Sequence, residues 1–413
     1  MGRPEHPVHG GDPPSPERHR PRAGARARPR SRRPRTLSER PPRGVRSFAF
    51  AERLGEGASG EVYRAIMTGA TGDVLAPVAV KILKDELLQA DRWKQRLRDE
   101  ARHLAAVDHP AIVRVLDLVP LDGHDALVTE YIDGADLSQL IRGRSRIPLR
   151  PLYQVLSQAA DALDAAYEGR SPLTDQPLHV VHRDVKPSNL RVGRHGQAKL
   201  VDFGIALGDL DRSAHTDSGT VVGSLAYMAP ERFDAQCSPA SDIFSLGCVL
   251  YEGLSGQRLQ EECTSAQLVM RMALAERFVQ YADKRMKALP NAAWDAVDLM
   301  VEMLAFDPAR RPTAAQVATR LEEMADHAGG ESLRSWCRKR TWPSPTERGR
   351  YSGLTLTEPR PAPLEAAPAP PAPVPPSPRR WPLVLLGVVV GITGSLLVVA
   401  ALLAGGSLAW SLS

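Results

Sequence analysis

Val181-His182-Arg183-Asp184-Val185-Lys186-Pro187-Ser188-Asn189, with Asp202-Phe203-Gly204 after it, is the stretch from which this 413-residue chain is best read. Asp184 and Asn189 stand five residues apart, and Asp202 lies thirteen beyond Asn189. The set supplies one carboxylate to take a proton from a nucleophile. It also supplies a carboxamide and a second carboxylate, hard oxygen donors that suit a cation such as Mg2+. Either segment alone recurs by chance; together, in this order, they make a reading that the remaining sequence can test.

The composition is uneven. Residues 1–46 hold thirteen Arg and many Pro but almost no aliphatic side chains. Such a segment buries too little apolar surface to offset the entropy of ordering, so a disordered arm is expected. Much of the net charge of +5 comes from it. A solvated arm is the plainer reading, ahead of a nucleic-acid or acidic-lipid contact, and no nucleic-acid partner is expected. No apolar run follows Met1, so no secretory leader is expected. Cys237, Cys248, Cys263 and Cys337 form no CxxC pair, which fits a reduced, cytosolic setting.

Order is expected to begin at Phe48. Strand patterns cover 48–55, 61–66, 78–82, 112–118 and 125–131, and helical spacing covers 89–107 and 151–168. From 239 to 325 the pattern is mainly helical, punctuated by Pro290, Pro308 and Pro312. This describes a small β-rich lobe, 48–132, and a larger α-rich lobe, 133–327. Gly55, Gly57 and Gly60, in Leu54-Gly55-Glu56-Gly57-Ala58-Ser59-Gly60-Glu61-Val62, let backbone N–H groups approach phosphate oxygens. A dinucleotide-binding reading of the same glycines needs a helix straight after Gly60; β-like Glu61-Val62-Tyr63-Arg64-Ala65 follows instead.

The H-R-D-x-K-P-x-N and D-F-G segments resemble the catalytic and metal-binding loops of eukaryotic-like serine/threonine protein kinases, and G-x-G-x-x-G-x-V, Val78-Ala79-Val80-Lys81 and Ala229-Pro230-Glu231 resemble that family's other motifs in order. The resemblance covers residue 48 to about 325 and implies an α+β, bilobal kinase fold that uses ATP and Mg2+ on protein substrates bearing Ser or Thr. It implies that Leu54, Gly55, Glu56, Gly57, Ala58, Ser59, Gly60, Glu61 and Val62, with Ala79, enclose ATP. Lys81 would hold the α- and β-phosphates and pair with Glu100. The backbones of Glu130 and Ile132 would face adenine, with Thr129 as gatekeeper and Asp136 on a ribose hydroxyl. Asp184 would be the base, Lys186 would neutralise charge on the γ-phosphoryl, and Asn189 and Asp202 would hold Mg2+. His182 and Phe203 read as residues that couple the two loops by contact. Asp242 would hold the catalytic-loop backbone, and Arg311 would pair with Glu231. Thr216 and Ser218 align best with activation-segment positions that such enzymes autophosphorylate, where Arg183 could bind a phosphate. Ser224 stands where Thr is usual.

Beyond 327 a Pro- and Ala-rich juxtamembrane linker, 328–380, is expected. Leu383–Ala404 then runs 22 residues without a charge, about 33 Å as a helix, enough for a hydrocarbon core of about 30 Å. A buried core helix is the alternative, but nothing beside the linker would cover it. Arg379-Arg380 precede the span, so the kinase-like domain is expected in the cytoplasm, on the inner membrane of a bacterium, with 405–413 as a short outer tail. Gly387 and Gly391 form a G-x-x-x-G pair, a pattern for homodimer formation within the membrane. Two rivals are a nucleotide-binding scaffold without turnover, which would usually lack a catalytic side chain, and an adapter acting through its Arg- and Pro-rich segments.

Overall fold

Alternation starting at Phe48 builds β1, Ser47–Gly57, in which Phe48 and Phe50 are buried and Ala49 between them is exposed. The structure, a computed structural model, describes residues 45–57, 60–84, 104–143, 145–171, 174–203, 224–260 and 264–359. Residues 1–44 of the arm expected over 1–46, most of the 89–107 helix, and the expected span and tail lie outside the described residues. Arg46 is described and pairs with Asp117 and Glu358, so the ordered chain begins before the expected bound. Among the described residues no helix is long and apolar enough to cross a membrane.

β1 turns into β2, Gly60–Thr68, through the glycine segment, with Gly57 opposite Gly60. β3, Val74–Leu83, β4, Val115–Leu121, and β5, His124–Glu130, complete an antiparallel sheet. The strand expected at 112–118 is shifted to 115–121, because Ile112 bridges to Leu200 in the other lobe. Phe48, Phe50, Tyr63, Val78, Val80, Leu121 and Val128 form the small-lobe core.

The larger lobe begins with β6, Gly134–Asp136, and α1, Leu137–Arg142. The amphipathic α2, Leu149–Glu168, follows, burying Leu152, Val155, Leu156, Ala159, Leu163 and Ala166 at helical spacing. β7, Leu190–Gly193, and β8, Ala198–Leu200, pair with β6 in a three-stranded sheet ordered β6-β7-β8. α3, Pro239–Ser255, opens with Pro239 inside a Ser238/Ser241 capping box and stops at Gly256, φ +80°. It is buried from Ser241 to Leu254 because neighbours press it from several sides. A Cβ on Gly253 would meet the Leu152 side chain at 2.6 Å, so a larger residue there would make Leu152 of α2 shift. α4, Ser265–Met272, α5, Ala275–Met286, α6, Val297–Met303, and α7, Ala314–His327, finish the expected helical region.

The fold does not stop there. α8, Leu333–Lys339, packs Leu333, Trp336 and Cys337 into the large-lobe core, followed by buried Trp342. β9, Thr355–Thr357, then pairs antiparallel with β1, giving a six-stranded sheet in the order β4-β5-β3-β2-β1-β9. The sequence reading placed all of 328–380 in a linker and confined the small lobe to 48–132; residues 333–357 depart from both. A seven-residue helix and a three-residue strand are too short to show a period, and scattered aromatic side chains, not patterning, dock this segment.

Arg311 ties the turn before α7 to the segment that leads into α3. Its Nη1 and Nη2 donate to Glu231 at 2.7 and 2.9 Å, and its remaining donors reach the carbonyls of Ala305, Ala240 and Phe306. The side chains are 0% and 10% exposed, so neither charge has water to fall back on. Burial opposes ionisation of Glu231, but the Arg311 and Ser241 hydrogen bonds outweigh it and hold the carboxyl below the ordinary glutamate range. Arg311→Met, which strands that carboxylate, is expected to lower unfolding free energy by about 3–5 kcal/mol. Because the folded value of Glu231 is depressed, the wild-type advantage is present above the ordinary glutamate range and lost as pH falls through the depressed value. Urea denaturation of both proteins across acidic pH checks magnitude and direction.

Candidate active site

The loop between α2 and β7 is shaped by one buried carboxylate. Asp242, near the start of α3, accepts the backbone N–H of His182 at 2.7 Å and of Arg183 at 2.9 Å. Burial pushes its carboxyl up, while His182 and those two amides pull the other way. Arg183 takes φ +69° and Asp202 φ +54°, both in the left-handed region, so each loop turns sharply at its acidic motif. His182, fully buried, stacks on Phe203 with ring centroids 4.4 Å apart and contacts the Val201 carbonyl at 3.1 Å. Burial pushes its imidazole below the usual range.

The 3₁₀ turn Pro187–Asn189 brings three functional groups together. Lys186 Nζ donates to Asp184 Oδ2 at 2.6 Å and to Ser224 Oγ at 2.8 Å. Asn189 Nδ2 donates to the Asp184 carbonyl at 2.8 Å and to Asp184 Oδ2 at 2.9 Å. The carboxamide nitrogen is thereby committed, and its oxygen is the atom left to accept a cation. Lys81 Nζ meets Asp202 Oδ1 at 2.9 Å. The enclosed position of Asp202 opposes ionisation, but Lys81, then Lys186 and His182, hold its carboxyl below the usual range. The Asp202 side chain is still 38% exposed, open to a ligand.

Lys81 and Asp202, with Ser188 and Phe203, line a cleft of about 900 Å³, mouth included, while Asp184, Lys186 and Asn189 are not on its wall. Leu54, Gly55 and Val62 form its roof, Ala79 and Lys81 its back, and Thr129, Glu130 and Ile132 its inner edge, with Asp136 and Asp202 below. A Cβ on Gly55, the glycine that lines the cleft, would meet nothing within 4 Å, so the roof is open at that point. Gly60 is different: at φ +154° a Cβ would lie 2.0 Å from the Ile82 carbonyl oxygen, so β2 reaches β3 only through glycine.

Several expected contacts are refined. Glu56, Gly57, Gly60 and Glu61 are not on the cleft wall; the Glu61 carboxylate accepts the Tyr63 hydroxyl, and Glu56 pairs with Arg53 at 2.6 Å. Asp136 lines the cleft, but its Oδ1 caps α1, taking Ser138 Oγ at 2.5 Å and Gln139 N at 3.0 Å. Ala58, Ser59, Glu100, Thr216 and Ser218 lie outside the described residues. Sequence reasoning missed Arg191, whose Nη2 and Nε donate to the carbonyls of Gly134 and Ile132 at 2.8 and 3.3 Å and pin the inner edge from below. It also missed Lys199, which holds the Glu130 carboxylate at 2.7 Å. Both are basic residues in short strands, and nothing local distinguishes them from solvent-facing ones.

Among the described residues no cluster of three or more His, Cys, Asp or Glu could hold a metal by itself. One carboxylate and one carboxamide oxygen fit Mg2+, which keeps several water ligands and shares substrate phosphates. A glycine-bearing roof and a lysine–aspartate pair thus share one cleft, and a carboxylate flanked by lysine and asparagine lies on the loop that supplies Ser188 to its wall. Residues 48–321 match the protein kinase domain family. The chain belongs to the protein kinase family.

Among its relatives, the kinase is 34% identical over 291 residues to the tyrosine-protein kinase MasK of Myxococcus xanthus, covering 68% of this chain and 44% of MasK. It is 37% identical over 222 residues to the serine/threonine-protein kinase PknA of Mycobacterium tuberculosis, covering 50% and 49%. To the serine/threonine-protein kinase PknB of Mycobacterium leprae it is 34% identical over 185 residues, covering 44% and 28%. The chain spans less than half the length of each of these three relatives.

Asp242→Asn replaces one of two carboxylate acceptors with a donor that faces a backbone N–H. The expected outcome is a loss of about 2 kcal/mol or more of stability, localised to the 182–189 loop. Amide hydrogen exchange, faster at His182 and Arg183 than across β1–β3, checks it.

Proposed function

We propose that this kinase transfers the γ-phosphoryl group of Mg-ATP to Ser or Thr hydroxyls of protein substrates. The observation that carries the reading is the convergence of Lys186 and Asn189 on Asp184 Oδ2, with Lys186 near enough to Asp202 to lower its pKa. In this reading the roof and Lys81 align the phosphates, and the hinge edge seats adenine beside Thr129. Asp184 orients the acceptor hydroxyl and takes its proton as the new P–O bond forms and the bond to the departing ADP breaks. Lys186 offsets charge on the transferred group. Asn189 and Asp202 would hold Mg2+, which would neutralise phosphate charge. Positioning and electrostatics supply the rate.

Two relatives named serine/threonine kinases, and the Lys186-Pro187 pair, favour a Ser/Thr acceptor. The name of MasK makes tyrosine the specific alternative. We further propose autophosphorylation of Thr216 and Ser218, anchoring by a single helix over 383–404 with the kinase domain in the cytoplasm, and self-association of that helix through Gly387 and Gly391. The support for the anchor is the uncharged 22-residue run behind Arg379-Arg380.

Asp184→Asn is expected to keep ATP binding and lose about 10²-fold or more in kcat. Lys81→Met is expected to weaken phosphate alignment and lower kcat/KM by a similar order. Radiolabel transfer from ATP with and without Mg2+, followed by phosphoamino-acid separation, tests the activity and decides between Ser/Thr and Tyr. Unchanged turnover in Asp184→Asn would end the proposed mechanism. Fractionation of cells expressing the full chain or a 1–380 truncation tests the anchor: the full chain is expected with membranes and the truncation in the soluble fraction.

A further inference from the structure

Residues 333–358 lie beyond the segment that matches the kinase domain family, yet they touch both lobes. One end is fixed to the large lobe. The amide of Leu333 donates to Gln154 Oε1 at 2.6 Å, Arg340 Nη1 reaches the Ser145 carbonyl at 2.7 Å, and Trp342 Nε1 closes on the Cys337 carbonyl at 3.0 Å. Only Pro343-Ser344-Pro345-Thr346 separates Trp342 from Glu347, and five extended peptide steps reach at most about 18 Å.

The other end is built into the strand that carries the glycine roof. The Glu347 carbonyl accepts the Arg53 amide at 2.8 Å, one residue before Leu54. Phe50 N–H reaches the Leu354 carbonyl, and Gly353 N–H reaches the Phe50 carbonyl, both at 2.9 Å. β9 pairs Thr355, Leu356 and Thr357 with Ala49, Phe48 and Ser47. Below this, Tyr351 packs edge-on against Tyr63 with centroids 5.7 Å apart, contacts Phe50 at 6.1 Å, and donates its amide to the Tyr63 hydroxyl at 3.4 Å. A Cβ on Gly349 would lie 2.0 Å from that hydroxyl, so the chain passes directly over it. Tyr63 is next to roof residue Val62, and its hydroxyl takes up Glu61. The segment therefore grips both strands of the glycine hairpin from the side away from the cleft.

We infer that residues 347–358 position the glycine hairpin over the nucleotide, with Tyr351 as the central positioning residue acting through Tyr63, and that the short run 343–346 ties that position to the large lobe. This rests on the kinase reading above. Without the segment, Tyr63 loses its cover and β1 becomes the open edge of the sheet, so the roof loses its fixed height over the phosphates. The effect is assigned to ATP and not to the protein acceptor, because the segment grips the β1–β2 hairpin through Arg53, Phe50 and Tyr63.

The test uses the full chain carrying Tyr351→Ala, Tyr351→Leu or Tyr351→Phe, with ATP and dephosphorylated casein titrated separately. Tyr351→Phe, which keeps the ring, is expected to stay within about twofold of wild type in KM for ATP, and Tyr351→Ala to raise it about fivefold or more with KM for casein unchanged. A Tyr351→Ala protein with wild-type KM for ATP, showing only a lower melting temperature and fewer active molecules, would overturn the inference and leave Tyr351 a packing residue. Should the Ala protein not fold, Tyr351→Leu, which fills the space without the ring, carries the same comparison. If wild type itself transfers no phosphate, the kinase reading fails. The positioning claim is then judged on fluorescent-ATP affinity, which Tyr351→Ala is expected to weaken by the same factor.

Discussion

Two backbone amides on one buried carboxylate set the geometry on which the rest depends. Asp242 holds His182 and Arg183 by their N–H groups, and Arg183 can then adopt its left-handed turn. That turn delivers Asp184 to Lys186 and Asn189, while His182 reaches across to Phe203 and fixes the second acidic loop. Low polarity around Asp242 makes the two hydrogen bonds strong and their absence costly, so the loop has essentially one arrangement. The carboxylate belongs to a helix buried along nearly its whole length, and the catalytic geometry inherits the rigidity of the large-lobe core.

The cleft combines that rigid floor with a roof of different character. Glycines at 55 and 57 face open space, and only Gly60 is demanded by close approach of a neighbouring strand. A roof made this way is permissive toward phosphate oxygens and needs support from elsewhere to hold one height. The C-terminal segment supplies contacts on the far side of the same hairpin, through Glu347 on Arg53 and Tyr351 on Tyr63. Burial and the Glu61 hydrogen bond push the Tyr63 phenol up to about 12, so it stays a neutral donor throughout the physiological range. Permissive backbone toward the ligand and aromatic contacts behind it are complementary solutions to one positioning problem.

Much of this was legible in the residues alone. The acidic and amide groups of the 181–189 and 202–204 segments, Lys81, the hinge and the Glu231–Arg311 pair announce themselves, because their chemistry demands particular side chains at fixed spacing. The presence of β1 to β5 was readable from period-two alternation, but not every boundary: β3 starts at Val74 and β4 at Val115. The contributions of Arg191 and Lys199 were not, since a basic residue in a strand reads the same whether it faces water or caps a carbonyl. Asp136 was readable as a cleft residue but not as the cap of α1, which takes one of its oxygens.

The sequence by itself determined the chemistry: which atoms can take a proton, hold a cation or let phosphate approach, and in what order the two lobes follow one another. Only the tertiary structure decided that the fold continues past residue 327. Trp336, Trp342, Tyr351 and Leu356 are scattered among prolines and charged residues without a period, so no local pattern foretells their burial. Their positions follow from surfaces made by residues some 200 to 300 places earlier, the α2 face and the back of β1–β2. Local chemistry is written in adjacent side chains; a docking site made by distant ones exists only once the chain has folded.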